Sequence, residues 1–207
     1  MVRPHNPQTK INLLEAAFAV IRRRGFAGAT VDDICAEAGV SKGGFFHHFA
    51  SKEELAVAAA RHWSEVTGDL FKRAPYHDVD DPLERILAYV TFRRQLIQGS
   101  LAEFTCLVGM LSQEVYGTSE PIRQACWDSI SGHAETLVVD IRSAMEQYRV
   151  KAGFSAESLA LHTQSVIQGA FIVAKASDDP ERAIESIDHL YRYLKLLFGA
   201  DNQGHKN

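Results

Sequence analysis

The stretch T-V-D-D-I-C-A-E-A-G-V-S-K-G-G-F-F-H-H-F, residues 30–49, decides how this chain is read. Thr30 stands where an N-cap belongs, Asp32 and Asp33 occupy the first turn, and Val31, Ile34 and Ala38 share one helix face. Gly39 stops that helix and Ser41 caps another across Lys42–His48. Val40 fills the turn from inside, and Phe45 and Phe49, four apart, anchor the second helix on the first. This is the pattern of a helix-turn-helix, with Lys42, Gly43, Gly44, Phe46 and His47 on the outer side of its second helix. The N-terminal end of such a helix offers free amides and a partial positive charge, which suits phosphates. Gly43 and Gly44 each cost a helix about 1 kcal/mol relative to alanine, so their presence suggests a close backbone approach. Two helices around a glycine turn also occur in all-α proteins that never meet DNA, and the geometry leaves both readings open.

Upstream, Ile11, Leu14, Phe18 and Ile21 recur at helical spacing, with Arg22-Arg23-Arg24 in the last turn and Gly25 beyond. Downstream, Ser51-Lys52-Glu53-Glu54 is a capping box opening a helix that runs to about Arg73. After a Pro75–Asp81 linker, helices are expected over 82–98, 103–115, 120–149, 156–176 and 180–198, the last capped by Asp179 with Pro180 in its first turn. Alternating valine-rich segments are absent. The fold class is therefore all-α, an N-terminal three-helix helix-turn-helix domain (1–52) followed by a helical domain (53–207), connected by the 52–73 helix.

The 207 residues are 46% hydrophobic and 23% charged, ordinary for a globular protein and unlike a disordered one. No apolar run reaches the ~18 residues of a membrane span. Met1-Val2-Arg3-Pro4-His5-Asn6-Pro7 lacks the apolar stretch of a secretion signal, and three cysteines are too few for a disulfide framework, so a cytoplasmic location is expected. The net charge of −4 divides unevenly, +3 over residues 1–52 and −7 over the rest. A basic head on an acidic body fits DNA binding, although an excess of three charges is also within chance scatter. Phosphate loops, nucleophile elbows and paired metal motifs are missing, which argues against an enzyme and against a bound cofactor. His47 and His48 are adjacent but have no third ligand at zinc spacing. A helical scaffold or adaptor would explain the bundle but not the capped, glycine-containing helix.

The run R-R-R-G-F followed by A-T-V-D-D-I-C-A-E-A-G-V-S-K-G-G-F-F-H-H-F-A-S-K-E-E-L resembles the TetR family of transcriptional regulators, with the likeness close over residues 9–66. The resemblance implies a homodimeric repressor that leaves a palindromic DNA operator when a small-molecule effector binds the C-terminal domain. By position it places Thr30 and Lys52 at helix starts that abut phosphates, and Ser41, Lys42, Gly43, Gly44, Phe46, His47 and His48 along or beside the recognition helix. Many relatives carry tyrosine where this chain has Phe46, so a phosphate hydrogen bond there is lost while ring contacts remain. Lys52 can equally be an exposed lysine at a helix start.

For the C-terminal part, the resemblance implies a four-helix dimer interface from the 156–176 and 180–198 pair, with Val166, Ala170, Val173, Ile187, Tyr191 and Leu194 as candidates; read from periodicity, either helix can be plain core. Candidate effector-lining residues are Phe92, Phe104, Met110, Trp127, His133 and Phe171. Residues 105–125 and 169–175 further resemble a NemR-like branch of the family that senses oxidants and electrophiles, which puts Cys106 and Lys175 at reactive cysteine and lysine positions. Gly109 and Met110 depart from that branch. Cys106 as a packed apolar filler, Lys175 as a helix-end cap, and Cys126 as core or resolving thiol stay open; Cys35 is expected inside the head.

Overall fold

A computed structural model describes residues 7–151 and 153–199, and Met1–Asn6, read above for a secretion signal, lie outside the described residues. The helices are α1 (Pro7–Gly28), α2 (Val31–Ala38), α3 (Lys42–His48), α4 (Lys52–Lys72), α5 (Pro82–Gln95), α6 (Leu101–Phe104), α7 (Leu107–Val115), α8 (Glu120–Gln147), α9 (Ala156–Ser177) and α10 (Glu181–Leu197), with a 3-10 turn over Pro75–Asp78. Among the described residues there is no strand, and no helix is long and apolar enough to cross a membrane. Compactness divides the chain differently from the 1–52 and 53–207 boundary drawn on the sequence. Among the described residues, one unit comprises 7–67 with 105–129, the other 68–104 with those from 130 to 199.

In the first unit α1 packs on α2, α3 and α7, around buried Leu13, Ile21, Ile34, Phe45 and Leu55. Gly25, at φ +79°, breaks α1 where the sequence pattern ends, and the chain adds one more turn to Gly28. The break frees amides, and Glu114 of α7 takes them: its carboxylate accepts the N–H groups of Phe26 and Ala27, each at 2.9 Å. A Cβ on Gly25 would lie 2.9 Å from the same carboxylate, so glycine is needed there for φ and for space. The carbonyl end of this turn is held too, because Lys52 Nζ donates to Phe26 O at 2.8 Å and Ala29 O at 2.9 Å. Ser119, just before α8, donates to Glu53 of α4.

In the second unit α10 packs on both α9 and α5. The expected linker is structured: Tyr76 is buried, and Asp81 caps α5 through the amides of Leu83 and Glu84 while its other oxygen accepts from Tyr148 and Gln147. The single helix expected over 103–115 is two. The backbone goes extended at Cys106, the N-cap of α7; α6 groups with the second unit and has no buried residue, while α7 buries Leu107, Val108, Leu111 and Val115 in the first.

Candidate nucleic-acid interface and effector site

A reciprocal capping box at Thr30 and a single side-chain cap at Ser41 set the helix-turn-helix. Thr30 Oγ1 accepts from Asp33 N at 3.0 Å, and Asp33 Oδ2 accepts from Thr30 N at 3.1 Å and its hydroxyl at 2.7 Å. The Thr30 bonds, with Arg24 at 2.6 Å, hold the Asp33 carboxyl below the usual carboxylate range. Ser41 Oγ accepts from Gly44 N at 3.1 Å and starts α3, and Gly39 ends α2 in the left-handed conformation. Phe45 and Phe49 are buried with ring centroids 5.9 Å apart, as their spacing requires.

This leaves Ser41, Lys42, Gly43, Phe46 and His47 exposed, with Phe46 at 51%. Lys42 Nζ lies 2.9 Å from Asp32 in a solvent-exposed pair, which costs under about 1 kcal/mol to open. The two glycines differ. A Cβ on Gly44 would meet Val40 Cγ1 at 2.8 Å, so the turn itself requires that glycine, whereas a Cβ on Gly43 would have only Ser41 Oγ, at 3.9 Å. The sequence argument from close backbone approach therefore retains force at Gly43 alone. His48 is half-buried, its ring 5.1 Å from that of His47. Lys52 is also half-buried: its Nζ donates to two carbonyls and lies 4.3 Å from the Phe26 ring centroid, so it has partners within the protein at the position the resemblance sets beside a phosphate.

The effector candidates fall into separate groups. Cys106, Met110 and Trp127 belong to the first unit; Phe92, Phe104, His133, Phe171 and Lys175 belong to the second. Trp127 is 50% exposed, so an interior lining role is not what its side chain has here. In the second unit, Phe104 meets Phe171 at 5.9 Å, and Phe71 meets His133 at 4.5 Å and Phe92 at 5.6 Å. A polar relay crosses this aromatic core: Gln164 Nε2 donates to the Tyr89 hydroxyl at 2.8 Å, and Tyr89 pairs with His133 Nε2 at 3.0 Å. With Gln164 donating, the tyrosine proton points at an unprotonated Nε2. Burial, with the charge of Arg93 second, drives the His133 pKa down to about 3, so the ring is neutral. A cavity of about 420 Å³ lies outside this core, between the 3-10 turn, α5 and α10; of the expected lining residues it has only Phe92, with Tyr76, Glu84 and Tyr191 among its walls. Sequence reading missed Tyr89, Arg93 and Gln164. For Tyr89 and Gln164 the signal was weak, a polar residue at an inward position of an otherwise apolar helix face, and for Arg93 there was none.

Residues 13–59 match the family described as bacterial regulatory proteins, tetR family, and residues 82–190 match the tetracyclin repressor-like C-terminal domain. The chain belongs to the TetR family. It is 26% identical over 192 residues to the HTH-type transcriptional repressor NemR of Escherichia coli K12, covering 91% of this chain and 93% of that one. The crystal structure of E. coli NemR in reduced form superimposes with a TM-score of 0.75 at 25% identity, covering 87% of this chain and 94% of that one. A TetR-family regulator from Agrobacterium tumefaciens superimposes with a TM-score of 0.79 at 20% identity, covering 91% and 98%. As a TetR-family member the protein is a DNA-binding transcriptional regulator, of a family whose members dimerise.

That membership directs attention to α9 and α10. Ala170, Ile187 and Leu194, expected at a dimer interface, are 2%, 1% and 0% exposed within the single chain. They face the packing of α10 against α9 and α5, so they have no surface to give a second copy. Tyr191 turns to the cavity beside α5. Val166 is half-buried, and Val173 is 54% exposed on a strip with His162, Ser165 and Ile172, while α10 exposes Tyr193 and Leu196. His162 and Tyr193 join the two strips, their rings 5.5 Å apart.

Proposed function

We propose that the protein is a homodimeric repressor that binds a palindromic operator through α3 and leaves it when an effector binds the C-terminal body, in the cytoplasm. The observation that carries this is the outer strip of α3: a capped N-terminus followed by exposed Lys42, Gly43, Phe46 and His47, which nothing in the fold requires to be exposed together. In this reading Ser41, Lys42, Gly43, Phe46 and His47 face DNA and Thr30 presents the start of α2 to a phosphate. Gly44, His48 and Lys52 set the geometry from behind. Functionally the head is 1–52 and the effector and dimer body 53–207, and the two-fold contact uses Val166 and Val173 with Ile172, Tyr193 and Leu196.

The test is fluorescence anisotropy with a palindrome from the protein's own upstream DNA against a scrambled duplex, for wild type and for Lys42→Ala with His47→Ala. Preference for the palindrome that the double variant loses supports the reading. Equal binding of both duplexes by wild type overturns it.

A second reading, an electrophile as effector, is favoured by Cys106. It is half-buried and is the N-cap of α7, the helix whose Glu114 holds the 26–27 amides of the head. Cys126 is buried and its thiol is pushed up to about 11 by that burial, which unsuits it as nucleophile. Addition of the Cys106 thiol to a quinone forms an S–C bond and moves the thiol proton to the quinone oxygen, with nothing expelled. Release of operator by benzoquinone in wild type and not in Cys106→Ser is the expected result; equal release of both removes this effector class.

A further inference from the structure

The arginines of α5 are not treated alike. Arg85 pairs with Asp140 at 2.7 Å and Arg94 pairs with Asp188 at 2.9 Å. Arg93, beside Arg94, makes no ion pair or hydrogen bond with the described residues. It is half-buried, with its guanidinium 5.1 Å from the Phe71 ring centroid and 5.9 Å from that of Phe171. Its charge reaches Tyr76, Tyr89 and His133, and Asp140, the carboxylate that also reaches Tyr76, is paired with Arg85. Tyr89 and His133 are already committed to each other and to Gln164. A guanidinium drawn partly out of water into an aromatic wall, with no carboxylate to meet it, is held at a cost that an anion would relieve. Its planar fork of N–H donors matches a carboxylate in bidentate fashion. The walls around it are ring faces, and Phe104 extends them beyond Phe171. Lys175 lies one turn along α9 from Phe171.

We propose that Arg93 anchors an organic anion: the effector is an apolar or aromatic carboxylate whose carboxyl group takes the Arg93 guanidinium while its body lies against Phe171 and Phe104. This rests on the reading of the protein as an effector-released regulator and names the chemical class of that effector. A neutral molecule of the same shape leaves the guanidinium desolvated and unmatched, so the site discriminates by charge as well as by size.

Calorimetric titration of the full chain with benzoate, naphthalene-2-carboxylate and decanoate, each beside its primary amide, tests this directly. At least one carboxylate is expected to bind ten times or more tightly than its amide. Arg93→Gln should bring that carboxylate to the level of the amide, and Arg93→Lys should recover part of the difference. Because Arg93 has no ion pair to lose, Arg93→Gln should melt with the wild type. Equal binding of every acid and its amide by wild type, binding of neither, or an Arg93→Gln protein that binds the acid as wild type does overturns the proposal; the first two of these need no variant. Operator binding is followed separately. A failed titration with the operator still bound removes the anion site alone, whereas loss of operator preference in wild type removes the regulator reading and leaves the titration to be judged by itself.

Discussion

The helix-turn-helix and the core of the second unit satisfy their polar groups in opposite ways. In the first, the bonds are short-range and at the surface: Thr30 with Asp33, and Ser41 with Gly44, each three residues apart. In the second they are long-range and buried, with Gln164 reaching Tyr89 across 75 residues and Tyr89 reaching His133 across 44. A surface that must meet phosphates keeps its donors at the edge and spends only local caps to hold them. The core of the second unit draws polar groups from distant helices and leaves Arg93 with aromatic rings and no ion pair among the described residues. The difference predicts where substitutions are absorbed by the fold and where they are felt in binding.

The sharpest contrast is between two leucines two positions apart. Leu194 is 0% exposed and Leu196 is 67% exposed. Leu194→Asp buries a charge in the packing of α10 and should cost about 3–5 kcal/mol, enough to lose cooperative melting. Leu196→Asp should leave the melt unchanged within about 0.5 kcal/mol and shift sedimentation from dimer to monomer. A dimeric Leu196→Asp protein would move the two-fold contact off this strip.

The second contrast is in pH. His133 has a folded pKa of about 3, below the usual histidine value of about 6.5. Below pH 6.5 the unfolded chain takes up a proton that the folded chain refuses, so stability falls as pH falls, by up to about 1.4 kcal/mol per unit, until the folded pKa is reached. Urea melts at pH 7 and pH 5 should differ by roughly 2 kcal/mol from this group, and His133→Gln should remove that part. The head has no such buried base among the groups with a resolved shift, and its operator affinity should follow charge screening instead.

These contrasts also explain what could be read from the sequence. Both caps, the left-handed Gly39, the α2 and α3 bounds and the inward Phe45 and Phe49 rest on neighbours within four residues, and the pattern of residue types states them. The exposed strip proposed for the two-fold contact did not follow, because the periodicity of α10 marks an apolar face without saying whether α5 or another copy covers it. Leu194 and Leu196 look alike until α5 is in place. The break at Cys106 was hidden for the same reason, since the apolar residues of α6 and α7 continue one pattern while belonging to two units. Arg93 carries no sequence signal at all: what marks it is the missing acid, and that is a property of helices brought together from 40 to 80 residues away.

Lys52 tests whether a residue placed by family resemblance acts on DNA or on the fold. Its Nζ holds Phe26 O and Ala29 O. Lys52→Ala should therefore lower stability by about 1.5 kcal/mol and leave the log–log salt dependence of operator binding unchanged. A slope reduced by about 0.9, with the melt unaltered, would return Lys52 to the phosphate backbone.

The finest contrast lies within one turn of α3. Ala at position 44 puts its Cβ 2.8 Å from Val40 Cγ1, so either the α2–α3 turn or the valine must shift. The gain in helix propensity, about 1 kcal/mol, is outweighed by that overlap, and Gly44→Ala should be net destabilising by about 1 kcal/mol. At position 43 nothing but Ser41 Oγ comes within 4 Å, at 3.9 Å. Gly43→Ala should keep the propensity gain and raise the melting temperature of the free protein. If the backbone of α3 approaches DNA at this residue, the same methyl group must stand between them, so operator affinity should fall while stability rises. A structural role for Gly43 predicts that both change in the same direction, and an outward helix face that never meets DNA predicts a rise in stability with affinity untouched. Measuring both quantities on this one variant separates the three.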